Sequence, residues 1–437
     1  MINVRAVKRL ETKLKRQSQR CQVFEIKLDK SHLSKKSLDH LYKIFIEAKW
    51  YYNYVLSNKN INDAETKIKQ IPVKVGEKYE TRDLEVLTAQ MRQDIKSRTF
   101  GSLKALKQLK QNGRKVGWLK FKKRINSVPL RQLGRTFDLD FENSRIRIQG
   151  LKGWLRIRGL EQVSKEKEIA NATLVRKCND LYINVTTFDN KQERNIPGQA
   201  IGIDFGCETQ LTLSDGTKLE FQIPVPKRLK KLDRKINRKQ SSSGKKRPHS
   251  KKKRQDQTKR QKTYERLTNK KSDIRHKIVS VITKNYKFVV FQDENIHAWH
   301  SGNHGKKVQH SGIGAILKDL KYKSFTPIMV DKFFPSTQLC PCCGVKNKMP
   351  VSQRVYECEC GFKGDRDFKS ACCILKEGLK QIPMDRRNFK AGENVSSTHL
   401  NSISGIKVSK MRSENQESDG ACSVVGHSEV KVAPVSV

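Results

Sequence analysis

Apolar and polar residues alternate singly through CQVFEIKLDK at 21–30, the period of a half-buried strand. From 34 to 58 and again from 83 to 111 the spacing changes to three and four. Leu38, Leu41, Tyr42, Phe45, Ala48 and Tyr52 then share one helical face, and Gly113 ends the helical region. Between 116 and 188 short alternating runs return: GWLKFKK, RTFDLDF, SRIRIQG, GWLRIRG, ATLVRK and DLYINVTTF. Gly and Asn turns separate them, which predicts a small β-barrel or sandwich. Lys and Arg interleave with Trp118, Phe121, Trp154 and Arg156 in these runs. Such a surface can grip phosphates and stack bases, although core packing is the expected role for most of the aromatics.

A second pattern begins near 197. QAIGIDFG at 199–206 reads as an apolar strand carrying one carboxylate, and QLTLSDG follows it into a turn. Lys and Arg dominate 227–287; its SSSGKKRPHSKKKR centre is too poor in apolar residues to pack and is expected as a loop between two helices. FVVFQDE at 288–294 predicts a buried strand, 312–323 a helix, 326–333 a strand and 367–381 a helix. The polar tail, 382–437, is expected to be disordered.

Charge narrows the possible partners. The 437 residues include 91 Lys and Arg against 44 Asp and Glu, a formal charge of +47, which favours a polyanion. No apolar run approaches the roughly 20 residues that span a bilayer, so no membrane partner is expected. The basic N-terminus lacks the apolar core of a secretory signal. Eleven cysteines without such a signal imply a reducing compartment, the cytoplasm, and metal binding rather than disulfides.

The cysteines cluster. Cys340 and Cys343 form a C-x-x-C knuckle followed by Gly344, and Cys358 and Cys360 form a second pair followed by Gly361. Two tight turns that each present two thiolates are what tetrahedral Zn²⁺ requires. Cys342 is an extra thiol inside the first knuckle. Three acidic positions accompany this module: Asp204 in a strand, Glu294 at a strand end, and Asp367 at the start of a helix. Three converging carboxylates repel one another unless cations hold them. Two Mg²⁺ ions roughly 3.5–4 Å apart would activate a water and stabilise the leaving oxygen of a phosphodiester.

In GIDFG at 202–206, VVFQDENI at 289–296, FFPSTQLCPCCG at 333–344 and CECGFKGDRD at 358–367, the chain resembles the TnpB family over about 20–380. These are RuvC-like nucleases encoded by insertion sequences and related to type V CRISPR effectors. The resemblance implies a multidomain α+β fold: a WED-like β-barrel with a helical recognition insert, then a RuvC/RNase H-like α/β domain with an inserted zinc-ribbon module. The implied boundaries are 1–35 and 116–195 for the barrel and 36–115 for the insert. The nuclease domain would take 196–337 and 363–381, and the zinc module 338–362. The resemblance further implies a guide RNA made from the transposon end, double-stranded target DNA, base pairing as the source of specificity, and catalysis by Asp204, a middle-strand Glu and Asp367.

Two residues depart from the family pattern. Its middle-strand Glu aligns with Gln292, and the usual Asn two residues after the DRD Asp is Lys369. On a continuing strand Glu294 would lie on the same side as Gln292, about 6–7 Å along, and Asp293 on the other. Three readings follow: an active nuclease using Glu294, a nuclease-inactive RNA-guided DNA binder, and a zinc-containing nucleic-acid-binding protein without catalysis. His297, His300 and His310 are expected at a surface or nucleic-acid contact rather than on a metal.

Overall fold

The computed structural model describes residues 4–58, 60–178, 180–190, 196, 199–221, 223–241, 250–301, 305–350, 352–382 and 406–410. They fall into two compact units, Met1–Glu193 and Arg194–Val437.

The first unit opens with α1 (Val4–Gln17), where periodicity had suggested nothing, and β1 (Gln19–Leu28). Next comes α2 (Lys35–Ser57), whose N-cap Ser34 accepts from the backbone N–H of Ser37 at 3.1 Å. Leu41, Ile44, Phe45, Ala48 and Val55 form its buried face. A hairpin, β2 (Gln70–Val75) and β3 (Lys78–Asp83), occupies part of the span expected to be a helical insert. Its cause is QIPVKV, which alternates with period two, and Gly76, whose φ of +65° only a residue without Cβ adopts easily. The second helix, α3 (Ala89–Gln111), therefore begins later than its periodicity suggested. Buried Glu47 ties α2 to the segment between them by accepting the backbone N–H groups of Glu85, Val86 and Leu87 at 2.7–3.1 Å.

The remaining strands of this unit are β4 (Ser127–Leu130), β5 (Phe137–Asp140), β6 (Arg145–Ile148), β7 (Trp154–Arg158), β8 (Glu168–Lys177) and β9 (Asp180–Asn190). With β1 they make one antiparallel seven-stranded sheet in the order β4-β8-β9-β1-β7-β6-β5. Among the described residues no ladder joins β4 to β5, so the expected barrel is seen as a sheet. GWLKFKK, expected as a strand, joins no strand ladder among the described residues: Trp118 is 88 % and Phe121 64 % exposed.

The second unit is built on a six-stranded sheet. Its first strands are β10 (Ala200–Phe205), β11 (Leu211–Leu213) and β12 (Thr217–Glu220). Basic helices α4 (Lys227–Ser241) and α5 (Lys251–Asn285) follow; the loop expected between them lies mostly outside the described residues. Then come β13 (Phe288–Gln292), α6 (Ile296–Ser301), α7 (Gly305–Ser311), α8 (Ile313–Lys323) and β14 (Thr326–Val330). A small hairpin of β15 (Val355–Glu357) and β16 (Lys363–Asp365) leads into α9 (Arg366–Leu379). Finally β17 (Lys407–Lys410) pairs with β12, inside the tail expected to be disordered; the rest of that tail beyond 382 lies outside the described residues.

Sheet order is β14-β13-β10-β11-β12-β17, with β14, β13 and β10 parallel and the rest antiparallel. Alternation divides β10 between two cores. Ile201, Ile203 and Phe205 join Ile278, Ile282, Ile316 and Leu320 of α5 and α8. Ala200 joins Val290, Ile374 and Leu375 on the α9 side, and the same period places Gly202 and Asp204 there. Helix α9 lies so close that a Cβ on Gly202 would sit 2.3 Å from the Ala371 carbonyl oxygen, and one on Gly378 2.1 Å from Val290 Cγ1. Gly202→Ala should therefore push α9 off the sheet and cost about 1–3 kcal/mol, read as a lowered Tm; an unchanged Tm would mean the helix can shift freely.

Candidate metal centres and carboxylate site

Two knuckle turns assemble the cysteines. In the first, Cys340 N–H donates to the Val345 carbonyl at 2.9 Å and Gly344 N–H returns to the Cys340 carbonyl at 3.1 Å. In the second, Cys358 N–H donates to Phe362 and Gly361 N–H to Cys358, both at 2.9 Å. Gly344 and Gly361 hold φ of +76° and +86°, the left-handed conformation these turns need. The result brings the Sγ atoms of Cys340, Cys343, Cys358 and Cys360 within 4.8 Å of one another. Cys340–Cys360 is 3.6 Å and Cys343–Cys358 3.5 Å. Tetrahedral Zn²⁺ with bonds of about 2.3 Å wants sulfurs roughly 3.8 Å apart, so the set fits zinc. Cys342 stays outside it, its N–H donating to Cys340 Sγ. The Cys360 backbone N–H, helped by neighbouring thiols, lowers Cys358 to about 7, towards the thiolate a metal binds.

Helix α9 anchors this module. Cys373 Sγ donates to the Leu339 carbonyl at 3.3 Å and Lys376 Nζ to the Pro341 carbonyl. The Lys369 ammonium, fully buried and without a hydrogen-bond acceptor among the described residues, lies 4.1 Å from the Tyr356 ring centroid. Burial drives Lys369 down to about 8 against the opposing pull of Cys373, Cys340 and Asp204.

The same helix presents the acidic motif. Asp365 is its N-cap, accepting from the N–H groups of Asp367 and Phe368 at 3.0 Å each, while Lys218 Nζ holds its other oxygen at 2.7 Å. That cap fixes Asp367 in the first turn, where Arg366 Nε lies 3.2 Å and Arg354 Nη1 3.9 Å from its carboxylate. Asp204, near the C-terminal end of β10, is pushed well above the usual carboxylate range. Burial is the first cause, then the charges of Asp367 and Glu294, against relief from Arg366 and Lys369. Asp204 therefore feels both of the other predicted carboxylates, although among the described residues only the four cysteines bring their ligand atoms within 4.8 Å of one another. Glu294 is half-buried, and desolvation followed by Asp293 raises it too.

Glu294 reaches this position by a different route from strand continuation. Strand β13 stops at Gln292, and the Glu294 N–H turns back to the Gln292 carbonyl at 2.9 Å. Asp293 points away, paired with Lys321 of α8 at 2.5 Å. Gln292 itself is buried in the chain that follows β14. Its Nε2 donates to the carbonyls of Asp331, Lys332 and Phe334 at 2.8–3.2 Å, and its Oε1 accepts from Ser336 Oγ at 3.2 Å. Three carbonyls facing one side chain require a donor, so position 292 is built for an amide. Sequence reasoning saw Gln292 only as a missing acid; nothing in the pattern of the strand signals that anchoring role. Of the histidines, His297 is exposed, and the side chains of His300 and His310 lie outside the described residues.

Comparison with known proteins agrees with this layout. Residues 182–298 match the family described as "Probable transposase", the OrfB group of IS605 elements, and 317–374 match the Cas12f1-like TNB domain. A Streptomyces pristinaespiralis protein named "Putative RNA-guided DNA endonuclease" is 29 % identical over 189 residues, 41 % of this chain and 45 % of its own. One from Escherichia coli (strain K12), "Putative RNA-guided DNA endonuclease InsQ", is 32 % identical over 199 residues, 44 % and 46 % of the two chains. The chain thus spans a little under half the length of these relatives. A chain of the cryo-EM structure of the Cas12f1–sgRNA–target DNA complex covers 78 % of this one and 80 % of itself, at 14 % identity and a TM-score of 0.36. The transposase family and the TNB domain are matched in series, with the four-cysteine cluster inside the second, so the chain is similar to the TnpB family in both parts.

Proposed function

We propose that this chain is an RNA-guided DNA endonuclease of transposon origin, cutting double-stranded target DNA at a divalent-metal centre made by Asp204, Glu294 and Asp367. The observation that carries the reading is that Asp204 is held well above the usual carboxylate range, by burial first and then by the charges of Asp367 and Glu294. Such mutual repulsion suits hard cations with oxygen ligands. Magnesium bound there would supply an activated water and charge for the leaving oxygen. The chain's own part is to hold the carboxylates: Asp204 by β10, Glu294 by the turn after Gln292, Asp367 by the cap at Asp365. The mixed six-stranded sheet suits a RuvC/RNase H-like domain and the seven-stranded sheet a WED-like one. The names of the two curated relatives point to the same activity.

A guide RNA derived from the transposon end would occupy the basic surfaces, with base pairing reading the target. One observation favours the nuclease-inactive alternative: the buried Lys369 ammonium lies close enough to oppose the charge of Asp204. Sequencing the RNA that purifies with the protein, then offering matching DNA with Mg²⁺, tests the choice. Cleavage that stops in EDTA supports the nuclease; guide-matched binding with no cleavage in Mg²⁺ or Mn²⁺ supports the inactive binder. Because a charge of +47 meets phosphates, RNA affinity should fall on the order of a thousandfold between 50 and 200 mM salt. Protein that comes free of nucleic acid at low salt and ignores added structured RNA would remove both guided readings.

A further inference from the structure

The segment 114–124, RKVGWLKFKKR, carries six cations and no acid. Among the described residues none of the six has a carboxylate within ion-pair distance. In the same stretch Trp118 is 88 % exposed and Phe121 64 %, while the neighbouring Ile125 is buried. The exposure is not that of a loose end. Arg114 N–H closes on the Leu109 carbonyl at 3.0 Å just past α3. Lys122 is clamped both ways by Asn53 of α2: its N–H donates to Asn53 Oδ1 at 2.9 Å, and its carbonyl accepts from Asn53 Nδ2 at 3.1 Å. The Lys122 ammonium also lies 4.1 Å over the ring of Tyr52, which is buried in α2. Beyond it, Asn126 accepts from the Arg176 backbone N–H at 2.8 Å. Both ends of the segment are therefore held on rigid elements, and two aromatic faces project from it into solvent between cations.

An exposed tryptophan gains nothing for the fold, and holding it in place costs conformational entropy. Bases offer π-faces regardless of sequence, and phosphates offer the charge that the flanking cations lack. A second copy of a chain carrying +47 would bring like charge to the patch. We propose that Trp118 and Phe121 form a preorganised stacking step for unpaired bases, with Lys120, Lys123 and Arg124 holding the adjoining phosphates. The inference rests on reading the chain as a nucleic-acid binder and adds where and how unpaired nucleotides are gripped.

The test compares the full chain with Trp118→Ala, Phe121→Ala and Lys120→Gln. Each binds a short oligothymidine strand and an abasic strand with the same number of phosphates, in salt high enough to weaken non-specific binding. Each aromatic truncation should weaken the base-bearing strand on the order of tenfold and change the abasic strand by less than about twofold. Lys120→Gln should weaken both strands alike. Aromatic variants that bind both strands as the wild type does would overturn the proposal, which is also the result expected if an acidic protein is the true occupant. So would equal losses on both strands, because stacking acts only where there is a base. In either case retained wild-type binding leaves the proposed function standing. A wild type that binds neither strand overturns this inference, while cleavage of guide-matched DNA decides the proposed function separately.

Discussion

Asp204→Ala should lower metal-dependent DNA cleavage on the order of a thousandfold or more while guide-dependent DNA binding stays within a few-fold. The asymmetry follows from what each step uses. Phosphate contacts and base pairing carry affinity, whereas the carboxylate is needed only to hold the cations that activate water. Glu294→Gln should behave in the same way, since it removes charge at nearly constant shape; wild-type cutting by this variant would refute the role of Glu294. The contrasting change is Gln292→Glu, which restores the residue common in the family. Its carboxylate would face the carbonyls of Asp331, Lys332 and Phe334 with no proton to give. It should cost about 3 kcal/mol of stability, visible as a lowered Tm, and should not raise cleavage. A stable, more active Gln292→Glu would mean that the chain merely lost its glutamate.

Cys358→Ser should strip about one zinc from each chain and unfold residues 339–361 locally, because structural zinc sites contribute on the order of 10 kcal/mol to folding. Metal analysis of the purified protein measures this directly. Cys342→Ser should retain the metal, since Cys342 lies outside the set within 4.8 Å. The loss should reach the carboxylates. Cys373 and Lys376 fasten the first knuckle to α9, and the hairpin whose turn carries the second knuckle runs into the Asp365 cap. Cleavage should therefore fall in Cys358→Ser by more than any loss of folded protein explains. Full zinc retention by this variant would overturn the ligand set.

Legibility differed by the range of the interaction. The strands with single alternation at 21–30 and 180–188, the GIDFG strand and the cysteine spacing were readable because period and turn residues are local. Helices α2 and α3 were readable for the same reason, although the hairpin between them was hidden by the helical spacing on either side. Strand β17 was invisible because KVSK has little pattern of its own; it exists through its partner β12. GWLKFKK misled because aromatic and basic residues imitate alternation, while Asn53 takes the backbone bonds of Lys122 that a strand would give to a neighbour. At the candidate site, the sequence offered the order of Asp204, Glu294 and Asp367, and the structure adds that Asp204 feels the charges of the other two. The turn that delivers Glu294 was not, because it depends on where β13 ends, and that end is fixed by Gln292 bonding to residues some forty positions later.

The position of β1 has a consequence for timing. Strand β1 lies between β9 and β7, paired with β9 along nearly its whole length from Gln19 to Lys27. On the ribosome it must wait for about 160 further residues before its main partner exists, so the sheet of the first unit cannot close until the chain has been made past 190. During that interval it is an open edge, a template for other chains. Arg20, Glu25 and Lys27 space charges along it, and Lys15 and Arg16 in the last turn of α1 precede it. These charges thus guard the strand while the nascent protein waits.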